Sequence, residues 1–465
     1  MADFKVIVVG GGPTGLITAH ALHKAGIDFV LLERGPTCHP DIGSGVGFWP
    51  MSLRVLDQLD ILDAIRPVMN PTAAKKTYTW DGTLIQEEPM ETLVCNGEHF
   101  NMCHRTDLLK ALYDSLPDAA KSRVKTNKRV TDISVSETGV VVTSEDGTAE
   151  SGSIVIGADG VHSKVRQIAR QLAIKENPKA VNLNLEMPFT VAFDALIGNF
   201  QNVNGPAGLT SSVFYETHST GYSTQVFRGT ERTWFIVYRR LKEPRTEKSQ
   251  RVVYTEESTQ KFADEIADMH ITDKLVFRQL FDARERALVV PLEEGVTTAW
   301  HYKRLVNVGD ATHKMTPNSG MGLNSSVQDV TVLVNKLHAL VSAAKAAEHD
   351  TITTEELEKA FGAYRAQRQR FVDGIVVNTA RELRMVSWGS TYDYVMDRWV
   401  WPLFGWRSVR FRKGFALFIA ACQVLDFAEI KHPLFGSTPW KNFPKVEARG
   451  DPDPYDEAGV FDKSK

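Results

Sequence analysis

The stretch VVGGGPTGLITAHALHKAG, from Val8 to Gly26, constrains this chain more than any other. It follows FKVIVV, an apolar run from Phe4 with the composition of a buried parallel strand. Gly10, Gly12 and Gly15 carry G-x-G-x-x-G spacing. The first glycine permits a tight turn, the second lets backbone approach a pyrophosphate, and the third lets the next helix pack close to the strand. Pro13 suits the first turn of that helix, and apolar residues recur at helical spacing until Gly26 stops it. A phosphate would meet free N–H groups and the positive dipole end at the helix N-terminus. IDFVLLER then reads as a second strand ending in Glu33, a carboxylate placed to accept hydrogen bonds from an adenosine ribose. Glycine spacing alone is a weak signal. Strand, loop, helix, strand and acid in register point to a dinucleotide, and Glu33 disfavours a 2′-phosphate in this loop.

The 465 residues exceed one typical core and suggest two or three packed domains. With 54 Lys+Arg against 57 Asp+Glu, the net charge of −3 argues against broad binding to nucleic acid. Cys38, Cys95, Cys103 and Cys422 show neither C-x-x-C spacing nor a disulfide framework, and no metal-ligand spacing is present. A reduced, intracellular and cytoplasmic setting is expected, with the first strand starting too early for a leader.

Two later segments choose among dinucleotides. GSIVIGADGVHSKVR (152–166) is a strand running into Ala158-Asp159-Gly160, then a helix start carrying Arg166. RLVNVGDATHKMTPNSGMGLNSSVQDVTVL (304–333) is a strand running into Gly309-Asp310, a glycine-spaced turn and a helix from about Asn324. Asp310 is placed to accept hydrogen bonds from ribityl or ribose hydroxyls. The N–H groups around Gly320, Gly322 and Leu323 could stabilise negative charge on a reduced flavin.

Together these segments resemble the FAD-dependent aromatic hydroxylases of the p-hydroxybenzoate hydroxylase fold, over about residues 4–380. GSGVGFWPMSLRVLDQLDILDAI (43–65) is similar to the family's glycine-rich loop and helix, which implies Gly47 near the flavin. CHRTDLLKAL (103–112) is similar to its R-x-x-L-L helix start, which implies that Arg105 reaches back to FAD. AGIDFVLLER, RVLDQL and HKMTPNSGMGLNSS most resemble fungal paxilline-type indole-diterpene and meroterpenoid epoxidases. The chain departs from the common Pro-Asn at Pro50-Met51, from Gly-Gln-Gly at Gly320-Met321-Gly322, and from Glu-Asp at Gln328-Asp329. These losses of polar groups imply a somewhat different substrate or cofactor contact.

The resemblance implies an α/β fold: a Rossmann-like FAD-binding domain, an inserted antiparallel β-sheet substrate domain and C-terminal helices. The expected division is 1–185 and 291–385 for the FAD-binding domain, 186–290 for the substrate sheet and 386–465 for the C-terminal region. It also implies that NADPH or NADH reduces FAD and that O2 adds at flavin C4a, giving a hydroperoxide that transfers oxygen to substrate. No second nucleotide fingerprint is visible, so the nicotinamide would visit transiently.

In the expected substrate domain, PFTVAFDALIG, SSVFYETH, GYSTQVFRG and RTWFIVYRRL read as strands. Alternation puts Trp234, Ile236 and Tyr238 on one face and Phe235, Val237 and Arg239 on the other. By the resemblance, Tyr215 is the candidate catalytic residue, its phenol bonding the substrate or donating a proton. It reads equally well as a core tyrosine. Tyr222, His218 and Arg239 are weaker candidates, and His313 is expected to fix the turn beside the flavin. These strands offer few bases or cations, which favours epoxidation of a polyketide- or terpenoid-derived alkene over hydroxylation or dearomatisation of a phenol. A flavin-binding protein without turnover and an NAD-dependent dehydrogenase are the rivals. The expected partner is a small apolar or phenolic metabolite.

TEELEKAFGAYRAQRQRFVDGIV lies in a helix expected over about 353–384. GFALFIAACQVL (414–425) is an apolar run of 12 residues, short of the roughly 20 that span a bilayer. It reads first as a core helix and second as an interfacial helix giving peripheral membrane contact. The last 19 residues, EARGDPDPYDEAGVFDKSK, are polar and expected to lie on the surface.

Overall fold

The N-terminal apolar run forms the strand Lys5–Val9 inside a six-stranded sheet. This is a computed structural model, describing residues 4–41, 44–90, 96–246, 252–349, 351–404 and 409–446. Lys5–Val9 pairs in parallel with Asp28–Leu32 on one side and Ile154–Gly157 on the other. Leu305–Asn307 and Val124–Lys125 continue the parallel run outward, and His301–Tyr302 adds an antiparallel edge. Both faces are covered, which is why these strands read as unbroken apolar runs. Val6, Val8, Phe29 and Leu31 face the main core. Ile7, Val9, Val30 and Leu32 face a second core with Val165 and Ile168 of helix Lys164–Glu176.

The helix after the glycines spans Pro13–Lys24, with Gly26 at φ 64° turning the chain back to the sheet. Helix Met321–Ala346 begins slightly before the expected Asn324, because Gly320 at φ 65° already starts the turn. The next helix, Thr354–Val386, opens on a capping box between Thr353 and Glu356.

The substrate region forms an eight-stranded sheet built around the long strands Thr190–Gln201 and Arg232–Arg245. Tyr222–Arg228 and Val213–Ser219 follow on one side, and Arg286–Val296 lies on the other. The expected boundary at 185 does not enclose this sheet. Ala74–Thr79 pairs in parallel with Val213–Ser219, and Leu84–Pro89 pairs with Ala74–Thr79, so an early segment crosses over to complete it. The expected face division is seen: Phe235 and Val237 pack against Phe262 and Phe277 of helices Glu256–Glu265 and Phe277–Asp282. Arg239 lies 4.1 Å over the Phe262 ring on that side.

The C-terminal apolar run is core. In helix Val409–Ala420 and the loop after it, Ala416, Ile419, Cys422 and Leu425 are buried. The following segment straps the nucleotide-binding half: Gln58 bonds Leu425 through both backbone groups, and Asp57 accepts from the N–H groups of Lys431 and His432. Gln328 likewise donates to the Gln423 carbonyl at 3.0 Å and accepts its N–H at 2.7 Å. Among the described residues no helix is long and apolar enough to cross a membrane. Cys38, Cys103 and Cys422 are free and buried, while Cys95, Gly43 and the polar tail 447–465 lie outside the described residues.

Candidate active site

One cavity of about 2450 Å³ runs from the first glycine turn to the inner face of the eight-stranded sheet. Every residue singled out in the sequence for cofactor binding lines it except Gly15. Gly15 acts from behind, since a Cβ there would sit 1.8 Å from the Gly10 carbonyl oxygen. Gly10, at φ 107°, lets the turn pass beneath Ala158. Gly12 is different: a Cβ there meets nothing within 4 Å, so it faces open cavity at the helix N-terminus. Glu33 closes the second strand, its two carboxylate oxygens accepting the N–H of Gly11 at 2.6 Å and of Gly35 at 2.7 Å. These bonds fix the loop and leave each oxygen a further lone pair for a ribose hydroxyl.

Asp159 caps the helix after its own turn, taking the N–H groups of Lys164 at 2.6 Å and Val165 at 3.1 Å on Oδ2. Its buried Oδ1 has no hydrogen-bond partner, and burial raises its pKa. Arg105 opens the helix Arg105–Asp114 on the cavity wall, where burial lowers its pKa and the charges of Asp310 and Glu33 oppose that effect. Asp310 pairs with Lys314.

At the flavin end, buried Asp329 organises the Gly309-Asp310 turn. It accepts the Gly309 N–H at 3.0 Å and His313 Nε2 lies 2.5 Å away, which is the turn-fixing role expected for His313. Asn324 joins the two glycine loops: Oδ1 accepts from the Trp49 N–H and Ser52 Oγ, and Nδ2 donates to the Gly47 and Gly320 carbonyls. The Phe100 ring fills the space a Cβ would need at Gly47 and at Gly320. Neither Asn324 nor Phe100 was singled out from sequence. The N–H groups of Met321, Gly322 and Leu323 form the first helical turn, where no intrahelical partner exists. Buried Thr316 Oγ1, Ser319 Oγ and Ser325 Oγ close by also lack partners. An open glycine cradle, a helix N-terminus and these orphaned polar atoms fit FAD, whose adenosine end would be held at Glu33 and whose flavin end would be held at Gly320–Leu323.

Beyond the flavin end the wall turns aromatic: Phe214, Phe227 and Trp234 from the sheet, and Phe371, Phe415 and Phe418 from the helices. Tyr215, the expected catalytic residue, is not among them. Its neighbours Phe214 and Glu216 face the cavity, so alternation turns Tyr215 to the helix-covered face with Val226 and Phe235. There its hydroxyl accepts the Thr210 N–H at 2.7 Å. Tyr222 and Arg239 also lie on that face, beside Glu265.

His218 lies on the cavity side in a charged group that sequence reasoning missed. Lys75 Nζ is 3.1 Å from Glu216, and His218 Nδ1 is 2.8 Å from Asp397. Burial opposes a charged His218, but Asp397 and Glu216 outweigh it and raise its pKa to about 9. Burial likewise opposes a charged Lys75, but Glu216, Glu88 and Glu382 outweigh it and raise its pKa, and Lys75 with His218 holds Glu216 well below the ordinary carboxylate range despite burial. The signal was present in VFYETHS, whose alternate residues Phe214, Glu216 and His218 share a face. Lys75 lay outside the expected substrate domain.

The family model for the FAD binding domain matches residues 3–366. The chain is 32% identical over 451 residues to the FAD-dependent monooxygenase srdH of Neurospora crassa, covering 94% of this chain and 98% of that one. It is 30% identical over 444 residues to the FAD-dependent monooxygenase spyC of Aspergillus fumigatus, covering 95% and 90%. Klebsiella pneumoniae HpxO, solved with FAD and uric acid, superposes with a TM-score of 0.68 at 18% identity, over 90% of this chain and 96% of that one. 2,6-Dihydroxypyridine-3-hydroxylase from Arthrobacter nicotinovorans gives 0.65 at 16%, over 84% and 94%. Family match, relatives and cradle agree: the chain belongs to the FAD binding domain family and is an FAD-dependent monooxygenase.

Proposed function

We propose that this enzyme uses NAD(P)H and O2 to epoxidise an alkene of a polyketide- or terpenoid-derived secondary metabolite. The observation carrying this reading is the aromatic chamber continuous with the nucleotide cradle and bounded by Phe214, Phe227, Trp234, Phe371, Phe415 and Phe418. Such a wall binds a large apolar molecule by burial of its surface and sheds water from the reacting end.

Bound FAD supplies the redox chemistry, accepting reducing equivalents from the nicotinamide and activating O2. The chain's own residues do the positioning. Gly12 gives the pyrophosphate access to the helix N-terminus, while Glu33 and Asp310 hold hydroxyls. The first turn at Met321–Leu323 would offer its free N–H groups to negative charge on the bound cofactor. Asn324 keeps the Gly47 and Gly320 loops in register around it.

A second reading, hydroxylation of a phenol, is favoured by the titratable groups Lys75, Glu216 and Glu382 in the chamber wall. One experiment separates the two. The purified enzyme receives FAD, NADPH and air with a panel of prenylated alkenes and phenols, and products are read by mass spectrometry. Substrate-stimulated NADPH loss with a product heavier by one oxygen supports monooxygenation, and the product's structure chooses the reaction. NADPH loss that no compound stimulates counts against both.

A further inference from the structure

The charged group behind the aromatic wall has a definite pairing. Lys75 faces Glu216, with Glu88 4.0 Å away. His218 faces Asp397, which also accepts from Trp388 Nε1 at 2.8 Å. Gln225 donates to Glu216 at 2.9 Å and accepts from Tyr238 at 2.9 Å. Glu216 also lies 3.5 Å from His218 Nε2 and so serves both cations, while Glu382, on the helix Thr354–Val386, stands outside these ion pairs.

Glu382 Oε2 accepts from Asn318 Nδ2 at 2.9 Å, and that nitrogen also donates to the Thr379 carbonyl at 3.3 Å. Both amide hydrogens of Asn318 are therefore committed, while its buried Oδ1 has no partner. Glu382 and Asn318 line the main cavity, and Asn318 precedes Gly320 at the flavin end by two residues. Next to them is an annex of about 30 Å³, also walled by Lys75, Glu216 and Ser223. Ser223 is 1% exposed, and its Oγ has no partner either. The annex has the volume of one water or one hydroxyl group. An unpaired amide oxygen, a carboxyl and an unpaired serine hydroxyl thus line one annex beside the aromatic chamber.

We propose that Glu382 and Asn318 form a binding subsite for a hydroxyl of the substrate, phenolic or alcoholic, which anchors one end of an apolar molecule and sets which carbon faces the flavin loop. This rests on reading the chamber as the site of a large apolar substrate. The hydroxyl donates to Glu382, which Asn318 orients through its Nδ2, and its oxygen can accept from Ser223. Lys75 and His218 already have carboxylate partners beside this place, so a neutral hydroxyl fits it, and the substrate class is a prenylated or polyketide alcohol or phenol. Burial raises Glu382 to about 6, with Lys75 opposing and Glu216 reinforcing, while Asn318 and His218 oppose. The acceptor strength of the subsite therefore grows as pH rises through that value.

The test is equilibrium binding to the FAD-loaded enzyme without reductant, read from the flavin absorption spectrum. The probes are a farnesylated phenol and its methyl ether, which differ in the ability to donate. The wild-type enzyme should bind the phenol about tenfold more tightly than the ether at pH 7.5 and show less preference at pH 5. Glu382→Leu should bind both alike while retaining its yellow colour. If that variant loses FAD, Glu382→Gln decides, since it should keep the flavin and lose the pH dependence of the preference. Equal wild-type affinity for the two probes, a preference surviving in Glu382→Leu, or pH dependence surviving in Glu382→Gln overturns the subsite. Failure of both probes to bind the wild type overturns the reading of the chamber itself.

Discussion

Arg368 Nε lies 2.8 Å from Asp329 Oδ1, and both side chains are buried. This contact ties the helix Thr354–Val386 to the carboxylate that receives Gly309 and His313, so the helix anchors the turn that presents Asp310. Burial opposes the charge on Asp329, but His313 and Arg368 together hold its pKa below the ordinary carboxylate value. Replacing Arg368 by Met removes one partner of a buried ion pair, a change that costs about 3–5 kcal/mol. Chemical denaturation should show that loss together with weaker FAD retention. A loss below about 1 kcal/mol would leave Arg368 without the anchoring role.

Gly12→Val and Gly15→Ala should fail in different ways. A Cβ at position 12 meets no protein atom within 4 Å, so the valine variant should fold with a near-normal Tm and emerge colourless. At position 15 the Cβ would stand 1.8 Å from backbone, and the alanine variant should be insoluble or strongly destabilised. Flavin absorbance and thermal melts of the two proteins check the contrast.

Tyr215→Phe removes the acceptor of the Thr210 N–H and nothing in the cavity. It should lower stability by about 1 kcal/mol and leave kcat for any accepted substrate unchanged. A fall in kcat of about tenfold without loss of flavin would return Tyr215 to the reaction.

The His218–Asp397 pair makes stability depend on alkaline pH. Because the folded value of about 9 lies above the ordinary 6.5, the contribution is fully present below about 6.5 and is lost as pH rises through 9. Urea midpoints measured from pH 6 to 9.5 should fall across that window. The fall should be smaller in His218→Gln, and an equal fall in both proteins would remove the histidine as its source.

The cofactor half was legible because its instructions are local. Gly10, Gly12 and Gly15 act within one turn, Glu33 ends the next strand, and Gly309-Asp310 ends another, so spacing along the chain is spacing in space. The substrate half was legible by strand and by face, as the division between Trp234 and Phe235 shows. It was not legible by partner. Choosing Tyr215 over Glu216 depends on which face the helices Glu256–Glu265 and Phe277–Asp282 cover, and no residue in VFYETHS states that. Lys75 reaches Glu216 only because a strand from the first hundred residues joins the sheet in parallel. Glu382 meets Asn318 across 64 positions of sequence, through the docking of a helix whose exposed and inward polar residues look alike.

The helix Thr354–Val386 carries Arg368 near its middle and Glu382 near its end, and Phe371, Ile375, Asn378 and Met385 also line the cavity. At about 1.5 Å per residue, the stretch from Arg368 to Met385 measures about 25 Å. Arg368 grips the carboxylate beneath the Gly309 turn and Glu382 grips Asn318 beside Gly320, so this length of helix acts as a strut fastened at two points to the loops that flank the cradle.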